Sequence, residues 1–486
     1  MPAQSDGASI VLQAWAMLHG NPLLHGWYLA DVSFYTTELP EYMLVVAFRG
    51  ITPGVVHICA ALTYTLLVLL AAFVARGSAR GRAGLVRAGI AVAIMLGPSL
   101  AVAGTLLNDP DHTGTAVPVL AVFALIDQGG RRWFVPAGVG LVLAWALVGD
   151  PLVLLIGVLP VLLVYGARAG QLLLQQRVPL SAARHELSLA AAAVLAVAAA
   201  TIATHLIRAS GGYVVNRGAK EFVQVGDMPR NAWAALEQFL GVFSANFFGH
   251  RFGNGLAFTA IHLVAAALVA AALWQALRGF FRADPVVPML AVAVIADLAA
   301  YTVIFQVSQE TNREVAPVFA LGAALAGRVF AGPLIRNRLE PLLVVGLAAA
   351  VWAMSPGVLL AEPSPPAASA LASWLERHHL REGIAGYWQA YSVTADSGGS
   401  VTMRAIREYP KPGLETYPWE LNVALLDSRR YDVNFLVATP PGSQAGATVT
   451  EQEGIAKFGR PAHVYRYQGY VIMVWRKNLL PELMRR

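Results

Sequence analysis

Long apolar runs constrain this chain more than any other feature, because several approach the roughly 20 residues that a helix needs to cross a bilayer. Inside hydrocarbon every backbone N–H and C=O must find a partner within the protein, so such runs fold as membrane helices. They fall at residues 51–74, 88–107, 117–127, 134–148, 152–165, 187–207, 256–277, 286–307, 315–329 and 342–360. The pattern predicts an α-helical multi-pass membrane protein with about ten spans. Composition agrees: 57% of the residues are hydrophobic and 13% charged, against about 25% charged in soluble chains.

The arginines are not spread evenly. Arg76, Arg80, Arg82 and Arg87 follow the first run, Arg131 and Arg132 the third, and Arg168, Arg177 and Arg184 the fifth. Arg278 and Arg282 follow the seventh, and Arg328, Arg336 and Arg338 cluster at the end of the ninth. Alternate loops carry them, which assigns those loops to the cytoplasm. The net charge of +6 is therefore an orientation signal, and nucleic acid is not an expected partner. Arg208, Arg217, Lys220, Arg230 and Arg251 depart from this pattern on the outer side, which points to an anionic ligand there. The single cysteine, Cys59, excludes an intrachain disulfide.

Three parts follow from the composition. Residues 1–50 read as an extracytoplasmic loop and 51–361 as the membrane domain. Residues 362–486 read as a small extracytoplasmic α/β domain after the linker Pro363-Ser-Pro-Pro366. In that last part helices are expected at 368–379 and 450–458, and strands at 383–387, 401–406 and 433–438. A hairpin is expected from 462–467 and 470–475 about Gln468-Gly469.

The opening loop concentrates polar chemistry. Asp6 precedes a helical pattern through Ala8, Leu12, Trp15 and Leu18, which stops at Gly20-Asn-Pro22. It suits an N-cap and equally a general base at a membrane surface, where partial desolvation tunes a carboxyl group. His19, His25 and Trp27 come next, then Asp31 and Glu38 among Tyr28, Phe34, Tyr35 and Tyr42. Rings beside carboxylates suit sugar binding, and they also suit the aromatic belt of a membrane interface. His19, His25, Trp27 and Tyr35 are the candidate substrate contacts of this loop.

Elsewhere, Asp109, Asp111 and His112 make a compact outward turn. Its oxygen and imidazole donors suit substrate or a divalent cation such as Mg or Mn, and turn chemistry explains the same residues. Arg313, beside Glu310 and Asn312, stands at the outer end of a run. There it can hold a phosphate in a forked geometry or snorkel to the interface. Asp297 lies within a run, where an ionisable group points to function. No Gly-rich phosphate loop, His-Glu-x-x-His or Gly-x-Ser-x-Gly element is present.

The order of parts resembles the GT-C superfamily of integral-membrane glycosyltransferases. The resemblance is carried by Asp6, then Ala14, Met17-Leu18 and Gly20, then the aromatic stretch ending at Leu39-Pro40, and by the terminal soluble domain. It implies transfer of a sugar from a polyprenyl-phosphate carrier to a glycan, lipid or protein acceptor on the outer face of a bacterial cell membrane. It implies that Asp6 activates the acceptor hydroxyl or helps hold a metal. By the same resemblance Asp31 or Glu38 is a second acid, and Arg313 holds the lipid phosphate. His112 has no secure counterpart in the family. Family members carry a membrane helix ahead of the acidic loop, so a further helix upstream of Met1 is expected. A transporter or flippase of an envelope precursor is the competing reading, from Asp297 and the helix breaks at Pro118, Pro151 and Pro160. A non-catalytic envelope scaffold is the third.

Overall fold

The structure is a computed structural model. It describes residues 5–98, 102–104, 106, 112–216, 221–248, 256–281, 284–304, 313–354, 368–408, 413–439 and 448–484. The opening segment holds helix α1 (Ser5–Leu18), strand β1 (Trp27–Leu29) and helix α2 (Leu39–Arg49). A helical bundle follows. Its first half is α3 (Gly54–Arg76), α4 (Gly81–Met95), α5 (Ala116–Gly129), α6 (Val135–Gly149), α7 (Leu154–Gln175) and α8 (Arg184–Ala209). After the short strand β2 (Val214–Val215) come α9 (Met228–Val242), α10 (Leu256–Arg278), α11 (Val286–Val303), α12 (Ala316–Arg336) and α13 (Pro341–Met354).

Among the described residues six helices, α3, α7, α8, α10, α11 and α12, are long and apolar enough to cross a membrane. Helices α5, α6 and α13 are shorter apolar helices. The run expected as one span at 88–107 is not one helix. Helix α4 ends at Met95, just before Gly97 and Pro98, and a proline cannot continue the backbone ladder.

Helix α3 shows how these sequences pack. Cys59, Thr63, Leu67, Ala71 and Val74 are buried along one stripe, while Leu62, Leu66, Leu69 and Phe73 face outward. Small inner residues let helices approach closely, and the oily outer face meets lipid. Gly327 on α12 is one such instance: an added Cβ would lie 2.5 Å from the Arg87 carbonyl oxygen on α4.

The C-terminal part contains α14 (Ser369–Arg377), β3 (Glu382–Gly386), α15 (Tyr387–Asp396), β4 (Thr402–Glu408), β5 (Leu414–Thr416) and β6 (Leu421–Asn422). Strand β7 (Phe435–Ala438), α16 (Glu451–Phe458), β8 (His463–Tyr467), β9 (Tyr470–Val474) and α17 (Leu480–Leu483) complete it. Six strands form one sheet in the order β5-β4-β3-β7-β9-β8. Strand β3 runs parallel to β4 and β7, and the other pairs are antiparallel. The expected hairpin is present, with Gln468 and Gly469 both at positive φ (48° and 86°), as a tight two-residue turn requires. Thr450 and Glu453 cap α16 reciprocally. Helix α15 and strands β5 and β6 were not expected from the sequence.

The opening segment and the C-terminal domain are joined. A second, three-stranded sheet has the order β2-β1-β6, pairing Tyr28 with Val214 and Trp27 with Asn422. Ala8 of α1 shares an apolar core with Leu371, Ala385, Tyr387 and Val437 of the C-terminal domain.

Candidate active site

Helix α1 begins at Ser5, one residue before Asp6, so Asp6 sits in the first helical turn and is not the N-cap. A carboxylate there is favoured by the helix dipole. Its side chain points away from its own helix. Oδ2 faces Arg313 Nη1 at 3.5 Å, with side-chain exposures of 22% for Asp6 and 30% for Arg313. Oδ1 accepts a hydrogen bond from the Tyr387 hydroxyl. Three segments that are remote in sequence thus meet at one carboxylate: the start of α1, the N-terminal approach to α12 and the first residue of α15.

Beneath this point lies a second acid that the sequence reading missed. Glu420 is buried and accepts from the Ala30 backbone N–H at 2.9 Å and from the Gln13 side-chain amide. Burial pushes its pKa up to about 8, and the charges of Asp6 and Asp31 add to the rise. Asp31 is half-buried and acts on Glu420 through that charge. Glu420 also holds a positive φ of 55°, a strained conformation for a non-glycine residue.

A separate polar cluster sits at the α6–α7 turn. Asp150 is fully buried and pairs with His112 Nδ1 at 2.6 Å, with the Thr115 hydroxyl, and with the Leu152 N–H at 2.8 Å. Burial alone would raise the Asp150 pKa, but the His112 charge and these hydrogen bonds hold it below the ordinary value. Glu38 is buried against Gly114, where an added Cβ would meet its Oε1 at 2.4 Å. Burial raises Glu38 to about 8, and the Asp150 charge adds to the rise. Glu38 is therefore held toward its neutral form, facing different partners from Asp6.

The structure brings Asp6 and Arg313 together and uses the other loop candidates to fasten the loop. His19 stacks on Trp15 at 3.8 Å and bonds the Trp15 carbonyl at 2.8 Å. It lies thirteen residues past Asp6, roughly 20 Å along a helix. His25 Nδ1 is 2.8 Å from the Gly211 carbonyl. The Tyr35 hydroxyl donates to the Pro22 carbonyl at 2.7 Å, and its ring packs on Tyr213. Trp27 is buried in the loop core. His19 and His25 are exposed, and the contacts of His25 and Tyr35 tie the loop to the segment after α8.

Asp109, Asp111, Glu310 and Asn312, with Arg217, Lys220 and Arg251, lie outside the described residues. Among the described residues no group of three His, Cys, Asp or Glu side chains is placed to hold a metal. The oxygens of Asp6 meet a guanidinium and a phenol, and His112 meets Asp150. Asp6 and His112 therefore have different partners among the described residues, and Asp111 lies outside them.

No protein-family model and no curated protein matches the chain in sequence. Solved structures similar to it include the following two. ArnT from Cupriavidus metallidurans, in the apo state, has a TM-score of 0.55 at 13% identity, covering 99% of this chain and 94% of that one. The Archaeoglobus fulgidus oligosaccharyltransferase, in complex with Zn and sulfate, has a TM-score of 0.49 at 13% identity and 90% coverage of this chain. This chain spans 64% of the length of that protein. The fold of this chain is GT-C-like.

Proposed function

We propose that this chain is a membrane glycosyltransferase that moves a sugar from a polyprenyl-phosphate carrier to an acceptor hydroxyl at the extracytoplasmic face. The observation that carries this reading is the Asp6–Arg313 contact at 3.5 Å. The sequence singles out these two residues separately, for base chemistry and for phosphate binding, and 307 positions separate them.

The chemistry is an inverting displacement. The acceptor oxygen attacks the anomeric carbon, its proton passes to Asp6, and the bond to the phosphate oxygen breaks with the electron pair leaving on phosphate. Arg313 neutralises that departing charge, the term expected to contribute most to catalysis. Without substrate Arg313 rests against Asp6. The pair is long and partly exposed, so it stabilises the protein by about 0–1 kcal/mol, and a phosphate displaces it easily. Asp31 lies near enough to act on Glu420 electrostatically.

One observation favours a transporter instead. Asp297 is buried in α11, and its Oδ2 has no hydrogen-bond partner among the described residues. The deciding experiment supplies a radiolabelled polyprenyl-phosphate sugar to membranes carrying the parent chain, Asp6→Asn or Asp297→Asn. Label transferred by the parent, reduced about 10²–10⁴-fold in Asp6→Asn, supports the transferase. Asp297-dependent uptake without transfer supports the transporter.

A further inference from the structure

We propose that Tyr387 is a positioning residue for Asp6, so that the C-terminal domain completes the catalytic centre and is not an appended module. The inference rests on the glycosyltransferase reading above and extends it to a residue in another domain.

The placement of Tyr387 is rigid by construction. It opens α15 directly after β3, and β3 lies inside the six-stranded sheet between β4 and β7. Its ring is 3% exposed and meets Trp388 at 5.2 Å, Tyr417 at 5.2 Å and Tyr391 at 5.5 Å, all edge-on. Its carbonyl oxygen accepts from the Ser5 hydroxyl at 2.6 Å, so the residue before Asp6 is held by the same tyrosine. Backbone and ring of Tyr387 therefore grip α1 at two successive residues.

The two Asp6 oxygens acquire different tasks. Oδ1 receives the Tyr387 O–H, and Oδ2 faces Arg313. When the acceptor attacks, its proton arrives at Oδ2, and Tyr387 keeps its own proton throughout. Tyr387 is suited to donate only. Burial raises its pKa well above the ordinary phenol value, and the charges of Asp6 and Glu420 raise it further. Fixing one oxygen fixes the plane of the carboxylate, and with it the direction from which a hydroxyl can be deprotonated.

The test uses the full chain in membranes or detergent, with Tyr387→Phe keeping the ring and removing only the donor. The expected result is a fall in kcat of about ten- to a hundredfold, as for a misplaced catalytic group, with KM for the lipid-linked sugar unchanged. A purely structural tyrosine would not split kcat from KM in this way. A second measurement compares melting temperatures of Asp6→Asn, Tyr387→Phe and the double variant, where coupled residues give non-additive changes. Full kcat in Tyr387→Phe with an active parent overturns the inference and leaves the transferase reading standing. Additive melting shifts overturn the contact. A parent that transfers no sugar overturns the transferase reading, and the catalytic role of Tyr387 with it.

Discussion

Two arginines, Arg313 at the approach to α12 and Arg328 within its second half, are held in opposite ways. Arg328 is 1% exposed, with Nη2 at 2.8 Å from Asp127, Nη1 at 3.0 Å from Asp284 and Nε at 2.6 Å from the Val74 carbonyl. It ties together α3, the end of α5, the approach to α11 and its own helix, and its donors are spent on the fold. Arg313 is 30% exposed, and its contact with Asp6 is 3.5 Å long. Arg328 is a buried clasp, and Arg313 keeps a cation in reach of an anion.

The largest effect should come from breaking the clasp. Arg328→Ala leaves Asp127 and Asp284 without their cation inside the bundle, which is expected to destabilise by about 3–5 kcal/mol. The check is the fraction of monodisperse protein recovered from membranes and its melting temperature. Wild-type melting in this variant would mean that the buried network is not what holds those helices together. Gly327→Val should come next, because its Cβ would enter the 2.5 Å approach to the Arg87 carbonyl. Overpacking of this kind typically costs about 1–3 kcal/mol, read as a smaller drop in melting temperature.

The joint between the loop and the C-terminal domain should be sensitive to pH through Glu420. Its pKa in the folded protein is about 8, against an ordinary value of 4.5. The folded state therefore binds a proton that the unfolded state has lost between those values, and stability falls as pH rises through that window. The contribution is fully present below pH 4.5 and is lost as pH passes 8. Protonated Glu420 would donate to the Gln13 amide oxygen, which has no partner in the present arrangement. Glu420→Gln should flatten the pH dependence of the melting temperature in that window. An unchanged slope would assign the pH dependence to other buried acids such as Glu38.

What the sequence showed and hid follows the same division. The six long apolar helices were legible because an apolar run of helix length has few alternatives in a membrane. The Gln468-Gly469 turn and the helix at 450–458 were legible because each is settled by a few adjacent residues. The break after Met95 was signalled by Pro98 and was overridden by the hydrophobicity on both sides. Tyr387 and Glu420 were not legible. Tyr387 follows an ordinary Gly386 and reaches Asp6 across 381 positions. Glu420 acquires its burial only when strands two to three residues long pair across three segments. Arg313 and Asp6 were each readable as a residue type in a place, but their contact was not, because it depends on how the opening helix docks on the C-terminal domain.

The smallest expected change in stability, and the one that sharpens the comparison most, belongs to Arg313→Ala. Partly exposed pairs contribute about 0.2–1 kcal/mol, so this variant should melt close to the parent, far above Arg328→Ala. Its transfer rate should nevertheless fall about 10²–10³-fold, the usual effect of removing a group that neutralises charge in the transition state. Arg313→Lys should fall between the two, since a lysine keeps the charge but cannot grip phosphate with two parallel N–H donors. If Arg313→Ala unfolds as readily as Arg328→Ala, the outer arginine is a second clasp, and the site must seek its phosphate-binding cation elsewhere. If it melts normally and transfers sugar normally, the contact with Asp6 is incidental. Only a stable and inactive variant keeps the two arginines as different as their surroundings make them.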